Sequence, residues 1–185
     1  RCNRSTRSCV GTERSTFMKK ALWQNAAAFA ANAHRYQTRN DERPYVSHCF
    51  RVAMTVSLVF GFDDPEVLAG ALLHDTIEDC DVDYDDILEQ FGRNVADYVA
   101  VMTKDMRLEH DIREVAYDKQ LADGPWQGRL IKLADVYDNF TDIDPKGRRT
   151  FLAKVERILT LTEHDDQLCE ARTHLQNLMQ EVAQC

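Results

Sequence analysis

The chain has 185 residues and carries 23 Lys and Arg against 31 Asp and Glu, a formal net charge of −8. That length suits one domain with a core of its own, and 44% hydrophobic with 29% charged residues is the composition of a soluble globular protein. The acidic balance excludes a general nucleic-acid or anionic-membrane binder, which shows a basic surface, and no apolar run reaches the length of a membrane span.

Residues 1–17 hold Arg1, Arg4, Arg7 and Arg14 against Glu13, a local +3, so the rest of the chain carries −11. The segment is rich in Arg, Ser and Thr and lacks the apolar stretch of a signal peptide. It is expected to be a leader or tail, disordered or artefactual, ahead of one domain over residues 18–185. Helical periodicity then dominates, with no convincing alternating strand. Alanines favour a first helix over about Phe17–Gln37, and a mostly apolar helix over about Tyr45–Phe60 is stopped by Gly61. Asp64-Pro65 opens the next helix, which carries Val67, Leu68, Ala71, Leu72 and Leu73 and reaches about Glu78. Short helices are expected over Asp81–Gly92 and Asn94–Thr103, a charged one over Glu109–Leu121, another over Trp126–Phe140, and two more in the last 40 residues after Asp144-Pro145. The expected architecture is all-α, a single bundle of about eight or nine helices. The six cysteines form no CxxC pair, so free thiols in a reducing cytoplasm are expected.

Three stretches carry chemistry. Ala71-Leu72-Leu73-His74-Asp75-Thr76-Ile77-Glu78-Asp79 ends an apolar helix in one imidazole and three carboxylates. In a continuous helix His74 and Glu78 share a face, as do Asp75 and Asp79. Carboxylates are unfavourable at a helix C-terminus, so the cluster wants a cation, and imidazole with carboxylate suits a divalent ion such as Mn, Fe or Zn. In Arg129-Leu130-Ile131-Lys132-Leu133-Ala134-Asp135-Val136-Tyr137-Asp138-Asn139-Phe140, Asp135 lies beside an apolar stripe and needs a partner or a metal. Lys132 and Asn139 stand three before it and four after it. In Arg43-Pro44-Tyr45-Val46-Ser47-His48 a histidine opens the second helix; such a residue is more often a cap or core group than a ligand, although its spacing to His74 allows one antiparallel return.

Together these stretches resemble the HD superfamily of metal-dependent phosphohydrolases. More narrowly, the chain is similar to the hydrolase domain of the RelA/SpoT family and its small stand-alone alarmone hydrolases. The resemblance rests on "AANAHRYQTR", "RPYVSHCFRVA", "LAGALLHDTIEDCDVDYDDILEQFG", "VADYVAVMTK" and "RLIKLADVYDNF", which follow the family order across about residues 18–143. It implies one divalent metal, typically Mn²⁺, held by His48, His74, Asp75 and Asp135. It also implies catalytic roles for Glu78 and Asp79, either of which would orient the water, and substrate contacts from Arg39 and Asn139. Arg43, Lys104 and Lys132 are further candidate contacts for the phosphates. The implied reaction removes the 3′-pyrophosphate of guanosine tetra- or pentaphosphate, turning over the alarmone of the stringent response, with a small nucleotide rather than nucleic acid or membrane as the partner. The chain departs from the family pattern at Asn40, Val136 and Cys49, where relatives usually carry Lys, a basic residue and Pro. Two other functions stay in view. One is the same scaffold acting on another nucleotide, as an NADPH phosphatase or nucleotidase. The other is a non-catalytic nucleotide-binding regulatory module, which predicts the loss of a ligand or of the Glu78-Asp79 pair.

Overall fold

The computed structural model describes residues 12–39, 42–144 and 147–183. Among them the architecture is all-α, as the periodicity implies: nine helices of eight residues or more, one single-turn α-helix and one 3-10 turn, Asp166–Leu168. The only extended pairing among the described residues is an isolated bridge between Thr38 and Pro44. Helix α1 (Thr12–Ala33) begins inside the segment expected to be a leader, while residues 1–11 and Asn40 lie outside the described residues.

The cap read at Asp64 is present, while Pro145 of the opening expected at Asp144-Pro145 lies outside the described residues. Asp64 Oδ1 accepts from the Glu66 and Val67 amides at 2.8 and 3.2 Å, opening α3 (Pro65–Leu73) with proline in its first turn. Helix α2 (Val46–Met54) runs on into a π-helical turn, Thr55–Val59, before Gly61 turns the chain at φ +76°. Such a turn is rare and shifts the helical register by one residue. Here it lets Val56 and Phe60 enter the core while Leu58 stays exposed.

One sequence expectation is corrected. The helix carrying His74 does not continue to Glu78: α3 ends at Leu73, Asp75 adopts φ −101° and ψ 0°, and a separate turn, α4, holds Thr76–Asp79. Thr76 explains the break, because its hydroxyl donates to the Leu73 carbonyl at 2.7 Å and satisfies a helix-end acceptor inside the core. Glu78 and Asp79 therefore stand on their own turn, not on the faces of His74 and Asp75.

The chain then forms α5 (Tyr84–Phe91), α6 (Arg93–Met102), α7 (His110–Asp123), α8 (Trp126–Asp142), α9 (Arg148–Leu161) and α10 (Cys169–Ala183). Helix α3 is the buried axis, with Val67, Ala69, Gly70, Ala71, Leu72 and Leu73 all inside. It packs against α1, α2, α6 and α8. Helix α8 reaches α6 so closely that a Cβ on Gly128 would lie 2.2 Å from Val101 Cγ1. This contact fixes the height of α8 and hence of Asp135.

Gly128→Ala is expected to destabilise the protein by about 1–3 kcal/mol through overpacking, read as a lower denaturant midpoint. Adding Val101→Ala should recover part of that loss. Equal midpoints for the wild type and Gly128→Ala would show that the helices separate freely.

Candidate active site

Three helices deliver four side chains to one buried point. His48 comes from the first turn of α2, His74 from the end of α3, Asp75 from the break that follows, and Asp135 from the middle of α8. The two imidazole rings meet edge to face with centroids 5.2 Å apart. His48 Nε2 lies 3.2 Å from Asp135 Oδ1 and 3.6 Å from Asp75 Oδ2; His74 Nε2 lies 3.0 and 3.8 Å from Asp75 Oδ2 and Asp135 Oδ1. One donor atom each from His48, His74 and Asp135 falls within a 4.8 Å group. The sequence spacing from His48 to His74 does close as an antiparallel return.

Each donor is oriented by a second partner. His74 Nδ1 sits 2.9 Å from the Ala71 carbonyl, which can only accept, so Nδ1 carries a proton and Nε2 is the nitrogen left to ligate once the ring is neutral. That Nε2 is buried without a hydrogen-bond partner. His48 Nδ1 meets Asp138 Oδ2 at 2.6 Å, which likewise turns its Nε2 inward. Asp75 Oδ2 accepts from the Tyr45 hydroxyl at 2.7 Å. Asp135 accepts from Asn139 Nδ2 at 2.6 Å and Lys132 Nζ at 2.8 Å. Two bare imidazole nitrogens, two carboxylates and an orienting partner for each fit a divalent cation of borderline softness.

The electrostatics agree. Burial alone would push His48 down, but Asp135, Asp138 and Asp75 outweigh it and hold the imidazole up at about 9. His74 is raised for the same reason, against complete burial, chiefly by Asp75. Burial opposes ionisation of both aspartates, yet the histidines pull Asp75 down to about 2, and Lys132 with the histidines holds Asp135 well below the usual carboxylate range. Without a cation the cluster is thus charge-paired by protons on its histidines. Cys49 is also within reach of His74 and Asp75, but burial pushes its thiol far up and keeps it protonated, which suits a packing role.

Glu78 and Asp79 lie beside the cluster on α4. Glu78 Oε2 accepts from the Lys104 amide at 2.9 Å, yet burial, then repulsion from Asp75 and Asp79, raises its carboxyl above the ordinary value. The Asp79 carbonyl accepts from Gln37 Nε2 at 2.6 Å, and Gln37 is in turn held by the buried His34 at 2.6 Å. His34 also stacks on Tyr45. The loop after α1 thereby props both α4 and the Asp75 partner.

The expected substrate contacts divide. Arg39 Nη2 donates to Asn139 Oδ1 at 2.6 Å, so these two stand together next to Asp135. Arg43 lies farther out and pairs with Asp142 at 3.2 Å. Arg51, which the sequence reading passed over, chelates Asp138 at 2.7 and 2.9 Å and reaches Asp142 at 2.7 Å. Lys104 sits across a cleft of about 110 Å³ that is also lined by Asp135, Asn139, Lys132, Lys154 and Arg157. Sequence reasoning missed Asp138, Tyr45 and the α9 cations. A signal for Asp138 existed, since it follows Asp135 by three residues and neighbours Asn139. Nothing local to residues 148–161 pointed to the cleft.

An HD-domain family model matches residues 26–123, which include His48, the His74-Asp75 pair, Glu78 and Asp79. The chain is 37% identical over 125 residues to the guanosine-3′,5′-bis(diphosphate) 3′-pyrophosphohydrolase MESH1 of Drosophila melanogaster, covering 66% of this chain and 70% of that protein. It is 37% identical over 121 residues to MESH1 of Homo sapiens, covering 64% and 68%. A solved structure described as a metazoan ortholog of SpoT that hydrolyzes ppGpp superposes with a TM-score of 0.77 at 27% identity, covering 87% of this chain and 95% of that one. A match over half the chain, centred on the helix break that presents the His-Asp pair, and relatives covered over two thirds of their own length give one answer: the chain belongs to the HD-domain family, among its RelA/SpoT-type hydrolases.

Proposed function

We propose that the chain is a divalent-metal-dependent hydrolase that cleaves the 3′-pyrophosphate from guanosine tetra- or pentaphosphate, releasing GDP or GTP and pyrophosphate. The observation that carries this reading is the inward convergence of the His48 and His74 Nε2 atoms on Asp75 and Asp135, with each outer nitrogen already engaged. The names of the relatives, which describe that reaction for those proteins, set the substrate. His48, His74, Asp75 and Asp135 would hold the ion, Mn²⁺ in our reading. When bound, it would polarise a phosphoryl oxygen and acidify the attacking water.

The chain's own residues supply the rest. In the hydrolysis a bond forms from the water oxygen to the 3′-linked phosphorus, and the bond from that phosphorus to the ribose 3′-oxygen breaks. Glu78, with its raised carboxyl pKa and one oxygen engaged by the Lys104 amide, is suited to take the water proton and return it to the leaving 3′-oxygen. Asp79, whose backbone carbonyl is held by Gln37, would orient the water. Arg39, coupled to Asn139 beside Asp135, is suited to meet a phosphate oxygen as a charge-assisted donor.

Four outcomes test this reading. Incubated with Mn²⁺ and guanosine tetraphosphate, the protein should release pyrophosphate, and chelation should abolish turnover; orthophosphate from NADPH with guanosine tetraphosphate left intact would overturn the substrate. Glu78→Gln should lower kcat by about 100- to 10,000-fold while Mn²⁺ binding measured by calorimetry is retained. Asp138→Asn should weaken Mn²⁺ binding by about 10- to 100-fold, because it frees the His48 ring. The fourth concerns pH. His48 is raised in the folded protein to about 9 from 6.5, so its contribution to metal-free stability is full below pH 6.5 and lost as pH rises through about 9. The melting temperature of the metal-free protein should therefore fall across that window, and saturating Mn²⁺, which takes the place of the protons, should remove the fall.

A further inference from the structure

The cleft that opens on Asp135 and Asn139 has a cationic far wall, and an acidic side chain of the protein already occupies part of it. Glu114 of α7 bridges two cations: Oε1 accepts from Lys104 Nζ at 2.6 Å and Oε2 from Arg157 Nη1 at 2.9 Å. Lys154 lines the same cleft three residues before Arg157 on α9. Among the described residues Lys154 has no carboxylate partner and only lies 5.8 Å from the Phe151 ring. Arg157 stays anchored independently of Glu114, since its Nε and Nη2 reach Asp118 at 2.8 and 2.6 Å. A lysine and an arginine converging on two oxygens of one anion is the donor pattern that also grips a phosphate. Although burial opposes it, the hydrogen bonds from Lys104 and Arg157 hold the Glu114 carboxyl at about 2, so an anion is present there at neutral pH.

We propose that Lys104, Lys154 and Arg157 form a second anion seat in the cleft, for a phosphate or diphosphate group of the substrate remote from the bond that is cut, and that Glu114 fills this seat until the incoming group displaces it. The proposal rests on the hydrolase reading for its substrate, but the seat itself is a binding site that can be tested without turnover. Displacement makes the seat selective. A nucleotide carrying a second, multiply charged phosphate group regains both cation contacts and adds Lys154. One without that group leaves the Glu114 bridge closed and gains nothing there.

The test uses inorganic pyrophosphate as probe, titrated calorimetrically into the full-length protein in chelator so that the histidine cluster holds no metal. Glu114→Gln should tighten binding by about 5- to 10-fold, because it removes the competing charge and keeps the side-chain shape. Lys154→Ala, a change at an exposed residue without a charged partner, should weaken binding by a similar factor. Pyrophosphate affinity unchanged or weakened in Glu114→Gln overturns the proposal. Should that variant fail to fold, Lys154→Ala decides alone, and unchanged affinity there overturns it as well. A kinetic arm separates this proposal from the hydrolase reading. With Mn²⁺ present, Glu114→Gln should lower KM for guanosine tetraphosphate and leave KM for guanosine 3′-diphosphate, which lacks the 5′-phosphates, where it was. If neither nucleotide is cleaved, the hydrolase reading falls while the calorimetric result still decides the seat.

Discussion

Two imidazoles and two carboxylates placed at one buried point are not a stable arrangement by themselves. Each charge must be matched, and each ring must be told which nitrogen faces in. Much of the helical architecture can be understood as meeting that demand. Helix α2 supplies His48 and, one turn later, Arg51, which holds the Asp138 that orients His48. Helix α8 supplies Asp135, the Lys132 and Asn139 that satisfy it, and Asp138 itself. Helix α3 ends where its last free carbonyls can be used: Ala71 takes His74 Nδ1 and Leu73 takes the Thr76 hydroxyl. The core around them, from Gly70 under Ile131 and Tyr98 to Gly128 under Val101, is close-packed because small shifts of α8 would pull Asp135 out of register.

How much of this was legible in the sequence depends on the range of the interaction. Local signals read well. Asp64-Pro65 announced α3, and the all-α class followed from unbroken helical periodicity. The His74-Asp75 pair and Asp135 stood out because charged groups interrupted apolar runs. The helix break after Leu73 was not legible, since no Gly or Pro marks it and only the Thr76 hydroxyl, turned back on Leu73, ends the helix. The partnership of Asp138 with His48 spans 90 residues, and that of Arg39 with Asn139 spans 100. No pattern in either segment names the other. The wall formed by Lys154 and Arg157 was the least visible feature, because cations on an amphipathic helix look like a solvated face until the opposing helix is in place.

The acidity of the chain takes on a definite geography. Asp75 and Asp135 belong to the histidine cluster, while Asp138 and Asp142 neutralise the arginines at its outer edge. The cleft beside the cluster sets Lys104, Lys132, Lys154 and Arg157 against Glu114, Asp118 and Asp135, one positive charge in excess in a protein of net charge −8. Field at short range inside a low-dielectric cleft outweighs the screened charge of the whole surface. An acidic protein can thus present a cationic cleft to a polyanionic ligand.

The wide sequence separation of the site's members also bears on how it comes into being. The first 123 residues carry His48, His74 and Asp75, but Asp135 and the Asp138 that aims His48 arrive only with α8. During synthesis the N-terminal helices can pack as local contacts form, whereas the cluster waits for a contact 90 residues apart in the chain. A ribosome-bound chain lacking α8 therefore has an HD helix pair and no complete site. Competence would switch on late, in one docking event, and a break between α7 and α8 would leave an incomplete core as well as an incomplete site.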